Sequence, residues 1–325
     1  MKAFVHTKYG SPEVLQLKEV PKPSPTDNEV LIRIHATTVN RTDCGFLRAK
    51  PFFVRFVSGL LRPKRTILGC EFAGEIETAG KEVKSFRNGH HVFGYSGVSF
   101  GAQAEYMIMP EDGMLAIMPS NMTYEEAAAI TEGAHYALNN IRKANVRSGQ
   151  RVLINGATGG IGSAAVQLVK YYGAEATAVC STKYVELVKS LGADEVIDYT
   201  AEDFTKSGQK YDFVFDAVGK SSFGACKKLL KQGGIYCSTE LGPKWQNPFL
   251  ALWTSKFGSK KVIFPIPKES KEDALFFKQL IEAGKFRPVI DRRYPLEQIA
   301  EAYEYVERGQ KIGNVVITVG QAKAN

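Results

Sequence analysis

An α/β chain is expected here, with a β-rich first part followed by a doubly wound parallel sheet, and three observations predict it. Residues Arg151–Lys170 read RVLINGATGGIGSAAVQLVK, a short β-branched run, a glycine-rich turn and then apolar residues at helical spacing. From Val152 onward, strand-like and helix-like stretches alternate, which implies a parallel sheet with right-handed crossovers. Ahead of that point the clearest pattern is alternation, as in VLIRIHATT (Val30–Thr38), the mark of half-buried strands.

The glycine turn carries the first functional implication. Strand, tight turn and helix in that order suit a dinucleotide pyrophosphate: the backbone must come close without a Cβ, and the helix N-terminus offers N–H groups and a positive dipole end. The turn reads GATGGIG (Gly156–Gly162), one residue longer than the plain GxGxxG. Glycines alone are weak evidence, because any tight turn wants them; the flanking strand, helix and second strand (Glu175–Cys180) make the Rossmann reading strong. A site for NAD places Asp or Glu at the end of the second strand to hold the ribose hydroxyls. That strand ends in Cys180-Ser181-Thr182-Lys183, with no carboxylate. Hydroxyls and a cation suit a 2′-phosphate. Lys183 alone reads equally as a solvated lysine at a helix start, but with the missing acid it favours NADPH.

Composition narrows the class. A chain of 325 residues accommodates two domains, and 44% apolar with 23% charged residues is ordinary for a globular protein. The net charge of +8 is scattered, with neither a basic stripe nor a nucleic-acid module, so nucleic acid is not an expected partner. Five cysteines, Cys44, Cys70, Cys180, Cys226 and Cys237, form no CxxC pair and fit a reduced interior. MKAFVHTKYG lacks a signal-peptide core, and no stretch is apolar enough to span a bilayer. A cytoplasmic protein is the expectation.

Taken in order, Lys2–His6, Leu15–Val20 and Glu29–Thr37 read as strands, and Asn40–Gly45 as a loop or short helix. Lys50–Arg65, KPFFVRFVSGLLRPKR, sets Phe52, Phe53, Phe56, Val57, Leu60 and Leu61 between basic ends. Three readings compete for it: a lid over an apolar substrate, a membrane-surface helix, or a packed helix, the last being the plainest. Strands follow at Leu68–Ala79, from Gly89, and at Gly101–Met109; Asn121–Asn140 reads as one helix. After the glycine turn come strands Ala176–Val179, Glu195–Asp198, Phe213–Asp216, Gly234–Ser238 and Lys261–Phe264, with helices at Tyr184–Leu191 and Gly224–Lys231 between them. Helices Lys271–Ala283 and Leu296–Arg308 and a strand at Gly313–Val319 close the chain.

Two tempting motifs lack their context. Gly97-Val98-Ser99-Phe100-Gly101 matches the GxSxG of serine hydrolases, but AQAEYMIM after it alternates like a strand where a helix is required. His90 and His91, adjacent in a strand, point to opposite faces and do not share an ion. His135 reads as a packed or capping histidine.

In the order of these parts the chain resembles the medium-chain dehydrogenase/reductase superfamily. The resemblance runs through LGCEFAGEIETAGKEVKSFRNGHHVFG (Leu68–Gly94), GAQAEYMIMPED (Gly101–Asp112), the Val146–Ala174 stretch around the glycine turn and LGADEVIDY (Leu191–Tyr199). It implies a GroES-like catalytic domain over residues 1–121, completed by the tail 268–325, and a Rossmann NADPH-binding domain over 122–267. Within the superfamily the chain is similar to the zinc-free NADPH:quinone oxidoreductase branch, which includes enone and alkenal reductases. Zinc alcohol dehydrogenases place a Cys where Asn40 stands, a His at Cys70 and a third ligand near Thr131. One thiol without partners is a poor zinc site, so no metal is implied. The cysteine-rich structural zinc lobe is also missing from Gly94–Met118.

The resemblance assigns cofactor contacts to Thr158, Gly159, Gly160 and Ile161 at the phosphate turn, and to Ser181 and Lys183 at the 2′-phosphate. It adds Tyr199 near that phosphate or the adenine, Ala217, Val218 and Gly219 along the adenosine half, Leu241 and Gly242 after the next strand, and Phe264, Pro265 and Ile266 beside the nicotinamide. Asn40 falls where the family keeps a polar group near the reacting centre. A tyrosine of related quinone reductases falls near Gly45 here, so a proton donor is not inherited. Phe53 and Phe56 are candidates to meet the substrate.

The resulting expectation is an NADPH-dependent reductase that passes hydride to a quinone or an α,β-unsaturated carbonyl, a small apolar electrophile, without zinc. A homodimer is implied by the family. Two alternatives stay open: an alcohol dehydrogenase with degenerate zinc ligands, and an NADPH-binding interaction or regulatory protein with little catalysis.

Overall fold

The computed structural model describes residues 1–320. In chain order the first elements are β1 (Lys2–Val5), β2 (Gln16–Glu19), β3 (Glu29–Val39), α1 (Arg41–Arg48), α2 (Val54–Ser58), β4 (Glu71–Ala79), β5 (His91–Tyr95), β6 (Tyr106–Pro110), β7 (Leu115–Ile117) and α3 (Tyr124–Ala128). Then come α4 (Thr131–Ala144), β8 (Arg151–Asn155), α5 (Gly160–Tyr171), β9 (Glu175–Cys180), α6 (Val185–Ser190), β10 (Glu195–Asp198), β11 (Tyr211–Asp216), α7 (Phe223–Cys226), β12 (Leu230–Ser238), α8 (Gln246–Lys256) and β13 (Lys261–Ile263). The last are α9 (Lys271–Glu282), β14 (Ile290–Pro295), α10 (Ile299–Glu307) and β15 (Asn314–Thr318).

Two compact units result, one made of residues 1–132 with the chain from Glu269 onward, the other of Gly133–Lys268. Their boundary falls at Glu132, later than the break after residue 121 expected from the sequence. The helix expected over Asn121–Asn140 is in fact two. Thr123 caps α3 by accepting from the Glu126 N–H, and α3 ends at Ala128 before α4 starts at Thr131.

The first unit is built on a seven-stranded sheet of order β14-β15-β3-β4-β5-β7, with β6 also pairing β3. Strand β3 is long enough to serve three neighbours. Glu29–Arg33 pair with β6, Ala36–Val39 pair with β15, and β4 runs along the other edge. Its alternating sequence buries Val30, Ile32, Ile34 and Ala36, which removes branched apolar surface from water on one face. At its end Asn40 takes an extended conformation and caps α1, and Asp43 accepts its backbone N–H at 2.8 Å.

The segment Lys50–Arg65 corrects the plainest sequence reading. Only Val54–Ser58 is helical, one turn stopped by Gly59 at φ 119°. Val54 and Ser58 are buried, yet Phe52, Phe56 and Leu61 are 60%, 71% and 85% exposed. This is an apolar surface, not a core helix. The spacing of its phenylalanines cannot tell burial from exposure, because nothing in a periodicity says which face has a partner.

In the second unit six parallel strands run in the order β10-β9-β8-β11-β12-β13, the 3-2-1-4-5-6 order of a Rossmann sheet. Leu153, Val179, Tyr211, Val214, Tyr236 and Val262 pack into one buried cluster with Phe223 and Leu229. Helix α8 escaped the sequence reading because its apolar residues form no single stripe: Leu250 and Ala251 pack on the core while others face outward. Phe249, Leu252 and Trp253 are exposed, while Asn247 and Thr254 are the buried side chains. Short β7 and charged β14 carry too little apolar alternation to be recognised.

Candidate active site

All the residues expected to touch the cofactor lie at or just beyond the C-terminal ends of the second unit's strands, the edge at which open parallel sheets bind ligands. Thr158, Gly159, Gly160 and Ile161 follow β8 and are partly exposed. Helix α5 opens at Gly160, so its first backbone N–H groups have no partner within the helix. Three glycines are obligatory for steric reasons. A Cβ on Gly162 would lie 2.1 Å from the Gly156 carbonyl oxygen, one on Gly156 (φ 79°) 2.2 Å from Val218 Cγ1, and one on Gly133 2.6 Å from the Gly160 oxygen. The first contact closes the start of α5 onto the glycine turn, and the second sets that turn against Ala217-Val218-Gly219 at the end of β11. Buried Asp216 organises that second turn by accepting from Asn155 Nδ2 at 3.0 Å and from the Ser221 N–H at 2.9 Å. A backbone cradle bare of side chains is what a pyrophosphate needs, and these residues fit one.

Ser181 and Lys183 follow β9; Lys183 is exposed, its Nζ 5.2 Å from the centroid of the Tyr184 ring. The carboxylate missing from β9 is supplied nearby by β10. Asp198 accepts from the Thr182 hydroxyl, and from the Thr200 hydroxyl at 2.6 Å. These hydroxyl bonds hold its carboxyl below the usual range. Strand-end inspection missed it, because Asp198 sits beside Cys180 only through the parallel register of β10 on β9. Tyr199 is exposed just beyond β10. Leu241 and Gly242 follow β12, with Gly242 at φ 73° and Asn247 Nδ2 bonded to the Glu240 carbonyl at 2.7 Å. Phe264 and Pro265 are half-buried after β13 and Ile266 is exposed.

In the first unit, Asn40 belongs to a buried polar cluster that the sequence did not reveal. Its Nδ2 donates to Glu71 Oε2 at 2.7 Å and to Thr38 Oγ1 at 3.0 Å. Glu71 also accepts from the Thr38 hydroxyl (2.8 Å), the Thr131 hydroxyl (3.0 Å) and the Glu132 N–H (2.5 Å). Of the positions at which the superfamily's alcohol dehydrogenases carry metal ligands, Asn40 and Thr131 thus meet on the Glu71 carboxyl, while the Cys70 thiol faces Glu132 and Asp43. Next to it, Glu132 accepts from the Thr42 hydroxyl and, at 3.3 Å, from the Cys70 thiol. Asp43 accepts the N–H groups of Asn40 and Gly69, at 2.8 and 3.0 Å. Sequence inspection missed Thr42, Asp43, Glu71 and Glu132 because they lie in three segments that only the fold joins; each is next to or within a few residues of a position that was singled out.

Three buried carboxyls at such range repel each other when ionised. Burial, then the charge of Glu132, pushes Glu71 up to about 7. Burial, then Glu132, raises Asp43 well above the carboxylate range, and burial raises Glu132. The Cys70 thiol is raised by burial and by the charges of Asp43, Glu132 and Glu71, so it stays protonated. Lys311 is the nearby cation: loss of hydration lowers its pKa, against the opposing pull of Glu132 and Glu71.

Asp43, Cys70 and Glu132 present one potential ligand atom each within 4.8 Å of one another. This set does not fit zinc. Two of its three members are carboxyls already engaged by N–H, O–H and S–H donors, the third is a thiol that donates to one of them, and the set contains no histidine.

A Rossmann sheet with a glycine cradle in one unit and a β unit that holds a buried polar cluster together define a dehydrogenase of the two-unit type. Residues 26–120 match the alcohol dehydrogenase GroES-like domain, and residues 191–317 match the zinc-binding dehydrogenase domain. The chain is 34% identical to the 2-methylene-furan-3-one reductase of Solanum lycopersicum, over 98% of this chain and 79% of that one. It is 31% identical to the chloroplastic NADPH-dependent alkenal/one oxidoreductase of Arabidopsis thaliana, with the same coverage of both chains. Among solved structures, the quinone oxidoreductase of Coxiella burnetii superposes with a TM-score of 0.87 at 27% identity, covering 98% of this chain and 99% of that one. The chain belongs to the medium-chain dehydrogenase/reductase superfamily, in its quinone oxidoreductase-like branch. Among the described residues no helix is long and apolar enough to cross a membrane.

Proposed function

We propose that this protein is an NADPH-dependent reductase of quinones or α,β-unsaturated carbonyls, with the second unit holding the cofactor and the first supplying the groups that meet the acceptor. The observation that carries the reading is the glycine turn, in which neither Gly156 nor Gly162 has room for a Cβ, at the switch point of a 3-2-1-4-5-6 sheet. The names of the relatives support it: one reduces an enone and another uses NADPH on alkenals and enones. When bound, NADPH supplies a hydride.

The chain's own residues then have separable tasks. The N-terminal N–H groups of α5 and the glycine turn bind the pyrophosphate. Lys183 and Ser181 select the 2′-phosphate, while the Asp198 carboxylate is occupied by the Thr182 and Thr200 hydroxyls. Asn40 orients the acceptor. Both of its amide hydrogens are already donated, to Glu71 and Thr38, so it offers a carbonyl oxygen and cannot supply a proton. Phe53 and Phe56 give an apolar acceptor a surface that water leaves readily. A quinone or enone is electrophilic enough to take hydride without a Lewis acid, consistent with a cluster that does not fit zinc. NADPH oxidation measured across quinones, enones, alkenals and alcohols tests the proposal; turnover of alcohols alone would overturn it.

We further infer a homodimer in the cytoplasm. Strand β13 is a free edge of the six-stranded sheet, and exposed Phe249, Leu252 and Trp253 of α8 offer the apolar area an interface needs. All five thiols are free and buried, as suits a reducing compartment.

A further inference from the structure

The segment between α1 and β4 combines two features that contact with an apolar acceptor does not explain. Phe52, Phe56, Val57, Leu60 and Leu61 are all exposed, and the Phe52 and Phe56 rings meet edge to face with their centroids 6.1 Å apart. Lys50, Arg55, Arg62, Lys64 and Arg65 stand among and beside them, and no acidic residue occurs between Cys44 and Cys70. An exposed apolar patch with a charged rim marks an interaction surface. We propose that this segment docks the first unit on a membrane surface rich in anionic phospholipid. The apolar side chains enter the boundary between headgroups and acyl chains, and the cations meet the phosphates.

The segment is held in shape for this. Val54, Ser58 and Pro63 form its buried side. The Tyr9 hydroxyl donates to the Gly59 carbonyl at 2.6 Å and lies 2.8 Å from Ser58 Oγ, which itself donates to the Val54 carbonyl at 2.9 Å. The Lys64 N–H returns to the Ser58 carbonyl at 2.7 Å, and Arg55 Nη1 donates to the Leu60 carbonyl at 3.2 Å. The Arg55 guanidinium lies over the Tyr9 ring, 4.8 Å from its centroid. Polar backbone groups of the turn are thus paired before lipid is met, which spares the cost of dehydrating them unpaired.

Charge selects the occupant. An apolar acceptor accounts for the phenylalanines but not for the cations around them. A second copy of the chain, docked through the same patch, would set one group of cations against its twin. An anionic lipid surface matches both features: Lys and Arg stems lie along apolar surface while their heads reach phosphate, which the guanidinium grips in bidentate fashion. The docking does not depend on the reductase reading. One consequence does: a quinone or enone dissolved in the same bilayer reaches Phe53 and Phe56 without first crossing water.

The test is flotation of the full-length protein with vesicles, without NADPH or acceptor. Vesicles of equimolar phosphatidylglycerol and phosphatidylcholine should carry the wild type upward at low salt, and phosphatidylcholine alone should carry far less. Neutralising Arg62→Gln, Lys64→Gln and Arg65→Gln together should weaken partition to the mixed vesicles by roughly 100-fold, at about fivefold for each cation near an anionic surface, and flatten its salt dependence. Leu60→Ser with Leu61→Ser should weaken it by about tenfold or more while leaving the salt dependence. Should that pair fail to fold, Phe52→Ser carries the apolar arm. Lys189→Gln, Lys206→Gln and Lys228→Gln, exposed on the second unit, remove the same charge and should have little effect. A wild type that does not float with the mixed vesicles overturns the proposal, and so does equal binding to phosphatidylcholine. Equal losses from the two charge triples, which would reduce binding to net charge, or an unchanged affinity in the apolar variant, also overturn it. NADPH oxidation with a water-soluble quinone should be the same in wild type and the leucine variant. A wild type that oxidises NADPH with no acceptor would overturn the reductase reading and leave the docking standing.

Discussion

Glu71→Gln isolates what the buried carboxyl costs the fold as pH changes. In the native protein Glu71 is fully buried and its pKa is raised from 4.5 to about 7, first by burial and then by Glu132. A carboxyl whose folded pKa is raised binds a proton that the unfolded chain has released. Its favourable contribution is therefore complete below pH 4.5 and is lost as pH rises through about 7. The shift from 4.5 to about 7 corresponds to about 3 kcal/mol, at about 1.4 kcal/mol for each unit. Asp43 and Glu132, also raised, act in the same direction, while His6 and His35, lowered chiefly by burial, act in the opposite one. The diagnostic quantity is thus the difference between wild type and Glu71→Gln. The amide never ionises, so that difference should move in favour of the variant by about 2–3 kcal/mol between pH 5 and 8. At the acidic end the variant should be less stable by about 1–3 kcal/mol, because its NH₂ faces donors that the carboxyl accepted. Both tryptophans, Trp245 and Trp253, belong to the second unit, so their fluorescence is blind to the first. Hydrogen exchange of the β3 and β4 amides as a function of pH is the appropriate assay. Parallel pH profiles for the two proteins would refute the argument.

Other perturbations address the cofactor, the metal and the apolar segment. Lys183→Glu should weaken NADPH relative to NADH by roughly tenfold or more, by setting a carboxylate beside the 2′-phosphate, with no change in melting temperature; equal losses in the two dissociation constants would remove Lys183 from that site. Exhaustive chelation should leave kcat unchanged and purified protein should hold no stoichiometric zinc, whereas a loss reversed specifically by zinc would restore the dehydrogenase alternative. Phe56→Ala, at a side chain 71% exposed, should shift stability by under about 0.5 kcal/mol, against about 3–5 kcal/mol for a core phenylalanine, and raise KM for bulky apolar acceptors. A fall in melting temperature with unaltered KM would place it back in a core.

The second unit was legible because its signals are local. A glycine turn, the strand before it and the helix after it lie within a single stretch, and the regular alternation carries that reading across the sheet. The two tail helices and β15 were readable for the same reason. What escaped depends on contacts between distant segments. Glu71, Glu132 and Asp43 form a cluster only because β4, the start of α4 and α1 converge, and no spacing in the sequence announces it. Asp198 was overlooked because its neighbour Cys180 is set by strand register. Lys50–Arg65 misled in the other direction. Its apolar density suggests burial, and only the exposure of Phe52, Phe56 and Leu61 shows that its surface is left to solvent.

Strand β15 imposes an order of events on the chain's biogenesis. It lies inside the seven-stranded sheet, pairing Ile317 with Thr37 of β3 on one side and carrying β14 on the other. A nascent chain that has not yet emitted residues 290–318 holds half of β3 with its hydrogen-bonding edge bare. The Rossmann unit, contiguous from Gly133 to Lys268, can meanwhile close behind it. The first residues to leave the ribosome are thus among the last to be sealed, and their exposed strand edge is the chain's period of greatest aggregation risk. A single proteolytic cut near Lys268 would have unequal consequences for the same reason: it spares every strand of the cofactor sheet, yet severs the catalytic sheet from two of its own.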